Sequence, residues 1–194
     1  MITIKNLTKT YTNGKLETHV LKGIDLEVKS GEFVAIMGKS GAGKSTLMYQ
    51  MSLLDEPTSG SIVVDGEEVL ELSNKERTRF RLDRLGYVFQ DYALVPELTA
   101  SENVLVPLLM KGQLQDEAKK TALKALTEVG LSHRENNRPS QLSGGEQQRV
   151  SIARAIAEDP KILSPMNRQP TLILRREITL SKFFATLTKK ARQS

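Results

Sequence analysis

Eight residues early in the chain, Gly38-Lys39-Ser40-Gly41-Ala42-Gly43-Lys44-Ser45, fit the pattern G-x-x-x-x-G-K-[ST] at every fixed position. Few other sequences wrap bare backbone N–H groups around a polyphosphate. Phe33-Val34-Ala35-Ile36-Met37 before the loop reads as a buried strand, and Thr46-Leu47-Met48-Tyr49-Gln50 after it opens a helix that runs to about Leu53. Glycines at 38, 41 and 43 let the chain turn tightly with no Cβ in the way of a phosphate. The helix start adds unpaired N–H groups and the positive end of a dipole. Lys44 is expected to reach the β- and γ-phosphates and the Ser45 hydroxyl to ligate Mg²⁺, with Ser40 and Thr46 completing the phosphate contacts. A ligand-free glycine-rich turn is the competing reading, and the strand and helix on either side argue against it. The motif implies a nucleoside-triphosphate site.

At 194 residues the chain has room for one substantial domain or slightly more. No apolar run approaches the length of a membrane span, and the start lacks the basic and apolar regions of a signal peptide. A cytoplasmic protein is expected, peripheral on a membrane only through partners. The absence of cysteine removes disulfides and thiolate metal sites. A net charge of +5 invites a nucleic-acid reading, but residues 165–194 hold seven basic residues against one acid, Glu177, which leaves residues 1–164 at net −1. No nucleic-acid partner is therefore expected for the body.

Alternating apolar and polar residues at 2–4 and 21–28 predict strands of an antiparallel edge sheet, with Thr12-Asn13-Gly14-Lys15 as the turn. Residues 60–72 read as a short hairpin about Asp65-Gly66, 75–83 as a charged helix and 85–89 as a buried strand. Helical spacing appears at 101–110 and 115–129, the second with Leu123, Leu126 and Val129 on one stripe. Ser143 is placed to cap a helix over 145–158, and a strand begins at Lys161. This alternation predicts an α/β fold with a largely parallel main sheet.

A second glycine-rich helix start decides among the many phosphate-loop proteins. Gln141-Leu142-Ser143-Gly144-Gly145-Glu146-Gln147-Gln148-Arg149-Val150 joins a capping serine to two glycines that bare their N–H groups. It resembles the LSGGQ signature of ATP-binding-cassette (ABC) ATPases. The resemblance implies a P-loop ABC ATPase core with an antiparallel edge sheet and a helical signature subdomain over about 90–150. It also implies that two such domains pair head to tail, as a homo- or heterodimer, with Ser143, Gly144 and Gly145 closing on the γ-phosphate held by the partner. Tyr11 falls where the family stacks an aromatic ring on adenine. Gln90, ending Gly86-Tyr87-Val88-Phe89-Gln90, matches the Q-loop glutamine that touches Mg²⁺ and the attacking water. Residues 91–115 match the segment that receives a transmembrane permease. Wording around 38–46, 80–90 and 143–149 looks most like the lipoprotein-release and macrolide-export branch. Asp55-Glu56-Pro57-Thr58 spells the DEPT of a Walker B strand end but follows the phosphate-loop helix instead of an apolar strand, so it is read as a loop.

The resemblance covers residues 1 to about 163, an incomplete nucleotide-binding domain, and then stops. Where the family continues into DEPT and NLD, this chain reads Ser164-Pro165-Met166-Asn167-Arg168-Gln169-Pro170-Thr171, so both Walker B acids are missing. His19 and His133 precede the gap, and neither can be the family's switch histidine. Codons permitted for residues 165–176, read from the third base of the first, translate as D-E-P-T-A-N-L-D-S-Q-T. Residues 164–194 are therefore read as an out-of-frame tail without an evolved fold, one that leaves the core sheet with an unpaired edge. An amphipathic membrane anchor is the lesser reading of that tail. The expectation is a MgATP-binding ABC transporter subunit that is defective in hydrolysis. The alternatives are a binding-only or regulatory ATP module and a soluble ABC ATPase of DNA repair or translation.

Overall fold

The computed structural model describes residues 1–89, 91–166 and 171–174. Its elements run β1 (Ile2–Asn13), β2 (Leu16–Val28), β3 (Phe33–Ala35), α1 (Lys44–Met51), β4 (Ser59–Val64), β5 (Glu67–Glu68), α2 (Asn74–Arg84) and β6 (Leu85–Phe89). They continue with α3 (Ala100–Met110), α4 (Gln115–Glu128), α5 (Gly144–Ala157), β7 (Ile162–Met166) and β8 (Thr171–Leu174). Two four-stranded sheets result, ordered β2-β1-β4-β5 and β3-β8-β7-β6.

The first is the expected antiparallel edge sheet, and its β1–β2 hairpin is longer than alternation alone predicts. Asn13 pairs with Leu16 across Gly14, whose φ of 61° is the left-handed conformation that a tight hairpin needs. The second sheet departs from expectation. β6 and β7 run parallel, but β8 is antiparallel to both β7 and β3, so the sheet is mixed. Chain length gives the reason: four residues separate β7 from β8, and a parallel return needs a crossover of a dozen or more. β8 also pairs with the edge of β7 that the loss of later strands was expected to leave open.

Successive residues of a strand face opposite sides, and β7 uses this to join two cores. Ile162 packs with Ile2, Ile4, Met48 and Ile62 beneath the edge sheet and α1. Leu163 packs with Val104, Leu108, Leu126, Val150 and Ile152 among α3, α4 and α5. Burying one such side chain is worth about 1.5–3 kcal/mol, so the helical layer is bound to the sheet by ordinary core packing. On α4 the stripe shifts from expectation: Leu126 and Val129 are buried with Ala118, Ala122 and Ala125, while Leu123 is half-buried. The buried stripe is centred on Ala122, Ala125 and Leu126, and Leu123 lies about 100° around the helix from Ala122, at the rim of that stripe. At Gly86 a Cβ would lie 2.4 Å from the Ala155 carbonyl oxygen, so α5 rests directly on the backbone of β6. Among the described residues, no helix is long and apolar enough to cross a membrane.

Candidate functional site

The phosphate loop joins the end of β3 to α1. Ala42 donates to the Lys39 carbonyl at 3.2 Å, and Gly41 and Gly43 both sit at φ 80°. A Cβ on Gly43 would stand 3.1 Å from the Val20 carbonyl oxygen and from Val20 Cγ1, so this turn lies flat against β2. Gly43 is also the N-cap of α1 and offers no side-chain acceptor to the first turn. The helix start therefore keeps its N–H groups and dipole unanswered by any cap. Lys44 folds back across the loop and donates to the carbonyls of Gly38 at 2.9 Å and Lys39 at 2.7 Å. Gly38, Ser40, Gly41 and Ser45 are exposed, and Gly43, Lys44 and Thr46 are half-buried. This donor set suits a polyphosphate. Among the described residues no cluster of three or more His, Cys, Asp or Glu could hold a metal, so a cation here would lean on Ser45 and on the phosphates themselves.

Tyr11, on β1, stands 42% exposed. Its phenol donates to Asp55 Oδ2 at 2.8 Å, and the Lys9 ammonium lies 4.7 Å from its ring centroid. Burial, then the Asp55 carboxylate, hold the phenol above its ordinary pKa, while the Thr46 hydroxyl of α1 acts the other way. The edge sheet thus carries this ring to the phosphate loop. Gln90 lies outside the described residues; the strand before it, β6, ends with Phe89 paired to Met166 of β7.

The signature helix has the opposite kind of start. Ser143 Oγ accepts from the Glu146 N–H at 3.3 Å, and Glu146 Oε2 accepts from the Ser143 N–H at 2.8 Å, a reciprocal capping box. Arg134 Nε donates to the other carboxylate oxygen at 3.1 Å. The Ser143 backbone N–H and hydroxyl, with Arg134, hold the Glu146 carboxyl below its usual range. Ser143, Gly144 and Gly145 are all exposed. The Tyr92 hydroxyl lies 3.5 Å from where a Cβ on Gly144 would stand. Tyr92 and Ala93 are both left-handed, at φ 63° and 46°, and Arg154 of α5 donates to their carbonyls at 2.8 and 2.6 Å. A non-glycine pair in that conformation is costly and needs such a brace.

Sequence reasoning did not find the Arg154 brace, since its partners lie about sixty residues away and no local pattern announces them. The box at Glu146 was readable as Ser-x-x-Glu. The loop reading of residues 55–58 agrees with the structure: Asp55 is held by Lys9, Tyr11 and Gln50, and Glu56 is ion-paired with Arg77. His19 bonds Thr10 at 2.8 Å on an exposed strand, and His133 sits exposed in a 3₁₀ turn, Ser132–Arg134.

Comparison with known proteins agrees with this arrangement. The ABC transporter family matches residues 21–164. A lipoprotein-releasing system ATP-binding protein, LolD, of Geobacter metallireducens is 48% identical over 84% of this chain and 72% of its own length. The protein of the same name from Xanthomonas axonopodis is 49% identical over 82% of this chain and 66% of its own length. Among solved structures, a dimeric post-hydrolysis state of the ATP-binding cassette MJ0796, bound to ADP and Pi, superposes with a TM-score of 0.80 at 44% identity, over 85% of this chain and 73% of that one. The chain thus spans about two thirds to three quarters of the length of these relatives. From the phosphate loop, the signature helix and the match across 21–164, this chain belongs to the ABC transporter family.

Proposed function

We propose that this chain is the ATP-binding subunit of a transporter of the lipoprotein-release type, one that binds MgATP and pairs with a second cassette. The observation that carries the reading is the uncapped start of α1, with Lys44 poised across a loop of left-handed glycines. On this reading Gly38, Ser40, Gly41, Gly43, Lys44, Ser45 and Thr46 hold the phosphates, Tyr11 stacks on adenine, and Ser45 and Gln90 serve Mg²⁺. Ser143, Gly144 and Gly145, all exposed, face the nucleotide of the other subunit, with the Ser143 N–H already taken by Glu146. The dimeric state of the MJ0796 cassette supports pairing of this kind.

A groove of about 330 Å³ between α2, β6, α3 and α5, lined by Arg81, Tyr87, Pro107, Met110 and Glu158 among others, suits an inserted helix of a transmembrane permease. Its Glu158 carboxyl is pushed up by burial, against the pull of Lys111 at 3.0 Å. Such docking would hold the chain at the cytoplasmic face of a membrane.

The residues at 164–166 supply no acid where Mg²⁺ and the attacking water need one. We read residues 164–194 as an out-of-frame tail, and the chain as a binder that does not turn ATP over. Phosphate release from ATP is expected to stay at background for this chain and to rise when the reading frame is restored near residue 163. Hydrolysis by the unrepaired chain that is lost on Gln90→Ala would overturn the proposal.

A further inference from the structure

Asp55 makes four hydrogen bonds, and together they join the adenine-side tyrosine to the phosphate-loop helix. Its Oδ2 accepts from the Tyr11 phenol at 2.8 Å and from Gln50 Nε2 at 2.8 Å. Its Oδ1 accepts from Lys9 Nζ at 2.8 Å and from the Glu56 N–H at 2.8 Å. Gln50 is a fully buried residue of α1, so the carboxylate is anchored to the helix that begins at Lys44. Lys9 sits 4.7 Å over one face of the Tyr11 ring and also donates to the Glu56 carbonyl at 2.5 Å. With the phenol tied at its tip and one face taken by a cation, a half-exposed ring that would otherwise sample several rotamers is left with its other face to offer.

We infer that Asp55 is a positioning residue for nucleotide recognition: it fixes the Tyr11 ring at a set place relative to the phosphate loop, so that a purine and its phosphates are met by one pre-organised surface. Ordering the ring beforehand removes a cost that binding would otherwise carry. The inference rests on the reading that Tyr11 stacks on the base. It assigns a purpose to an acid whose sequence imitates a Walker B end. The carboxylate is taken up by four donors and acts through Tyr11.

Calorimetry on the full chain with two probes, ATP and inorganic tripolyphosphate, tests it. Tyr11→Ala is expected to weaken ATP about tenfold, the scale of one base–aromatic stack, and to leave tripolyphosphate unchanged. Asp55→Asn keeps the shape but loses the charge that gathers Lys9 and the phenol. It is expected to weaken ATP about threefold to fivefold with tripolyphosphate unchanged, and to add nothing in the Tyr11→Ala background, as coupled neighbours should. Unchanged tripolyphosphate binding also reports that each variant folds. If Tyr11→Ala loses ATP selectively while Asp55→Asn matches the wild type, the positioning role is overturned and stacking stands. If Tyr11→Ala leaves ATP affinity intact, the stacking reading itself falls. Equal loss of both probes in Asp55→Asn would show that Asp55 merely supports α1 through Gln50, and would also overturn the inference.

Discussion

Two glycine-rich helix starts in this chain solve the same backbone problem in opposite ways. α1 begins at Gly43 with no side-chain cap, and its nearest ammonium, Lys44, is spent on loop carbonyls. α5 begins at Ser143 inside a closed capping box reinforced by Arg134. Two further helices, α2 and α3, carry the same box, at Ser73/Glu76 and Thr99/Glu102. α4 also starts without a side-chain cap, at Leu114, but it carries Asp116 and Glu117 in its first turn. Among the described α-helices, α1 alone starts with neither a side-chain cap nor an acid in its first turn. A start left open holds its donors for a ligand, whereas a closed one is stable alone and presents only what its glycines bare. The difference suits one site that captures a nucleotide and one that waits for a nucleotide brought by another subunit.

The sharpest way to break this comparison is to remove the cation of the open start. Lys44→Ala is expected to cost ATP binding about 3 kcal/mol, roughly a hundredfold in Kd, as the loss of a charge-assisted contact. Equal affinities of variant and wild type in calorimetry would mean that α1 is not a phosphate site. At the other start, Gly145→Asp adds a carboxylate to an exposed surface without disturbing the box. ATP binding to the single chain should be unchanged. ATP-driven pairing with an intact cassette should weaken about tenfold or more, because the new charge opposes the γ-phosphate. Light scattering that shows normal dimers for the variant would remove the signature from the nucleotide interface.

Smaller effects separate the two starts by stability. Ser143→Ala should destabilise the fold by about 1 kcal/mol, the usual loss of an N-cap, and a melt indistinguishable from wild type would contradict the box. The same cap should titrate. The Glu146 carboxyl lies below its usual range in the folded chain, so its contribution is full above the ordinary glutamate pKa and fades as pH falls through the folded value. Hydrogen-exchange protection at the first turn of α5, taken relative to the intrinsic rate at each pH, should therefore fall on acidification. α1, which has no acid in its first turn, should show no matching change.

Much of the arrangement was legible in the chain because its causes are local. A glycine pattern sets the loop at 38–45, Ser-x-x-Glu closes α5, and apolar periodicity marks β6 and α3 to within a residue or so. The loop character of residues 55–58 was equally readable, since what precedes them is a helix. Other features depend on contacts that no local pattern encodes. The mixed order of the second sheet follows from where residues 171–174 find a partner, and Leu123 sits at the rim because α3 and α5 decide which face of α4 is covered. Arg154 reaches Tyr92 and Ala93 only because α5 lies on the backbone of β6 at Gly86. Asp55 meets Tyr11 and Lys9 because β1 pairs with β4, whose first residue, Ser59, follows the loop that holds Asp55. Sequence alone thus determined the glycine-rich loop and the helix starts, as backbone donors and caps are properties of a few adjacent residues. Tertiary structure decided which side chains hold those segments in place, because a carboxylate's partners are set by packing across the fold and not by their distance along the chain.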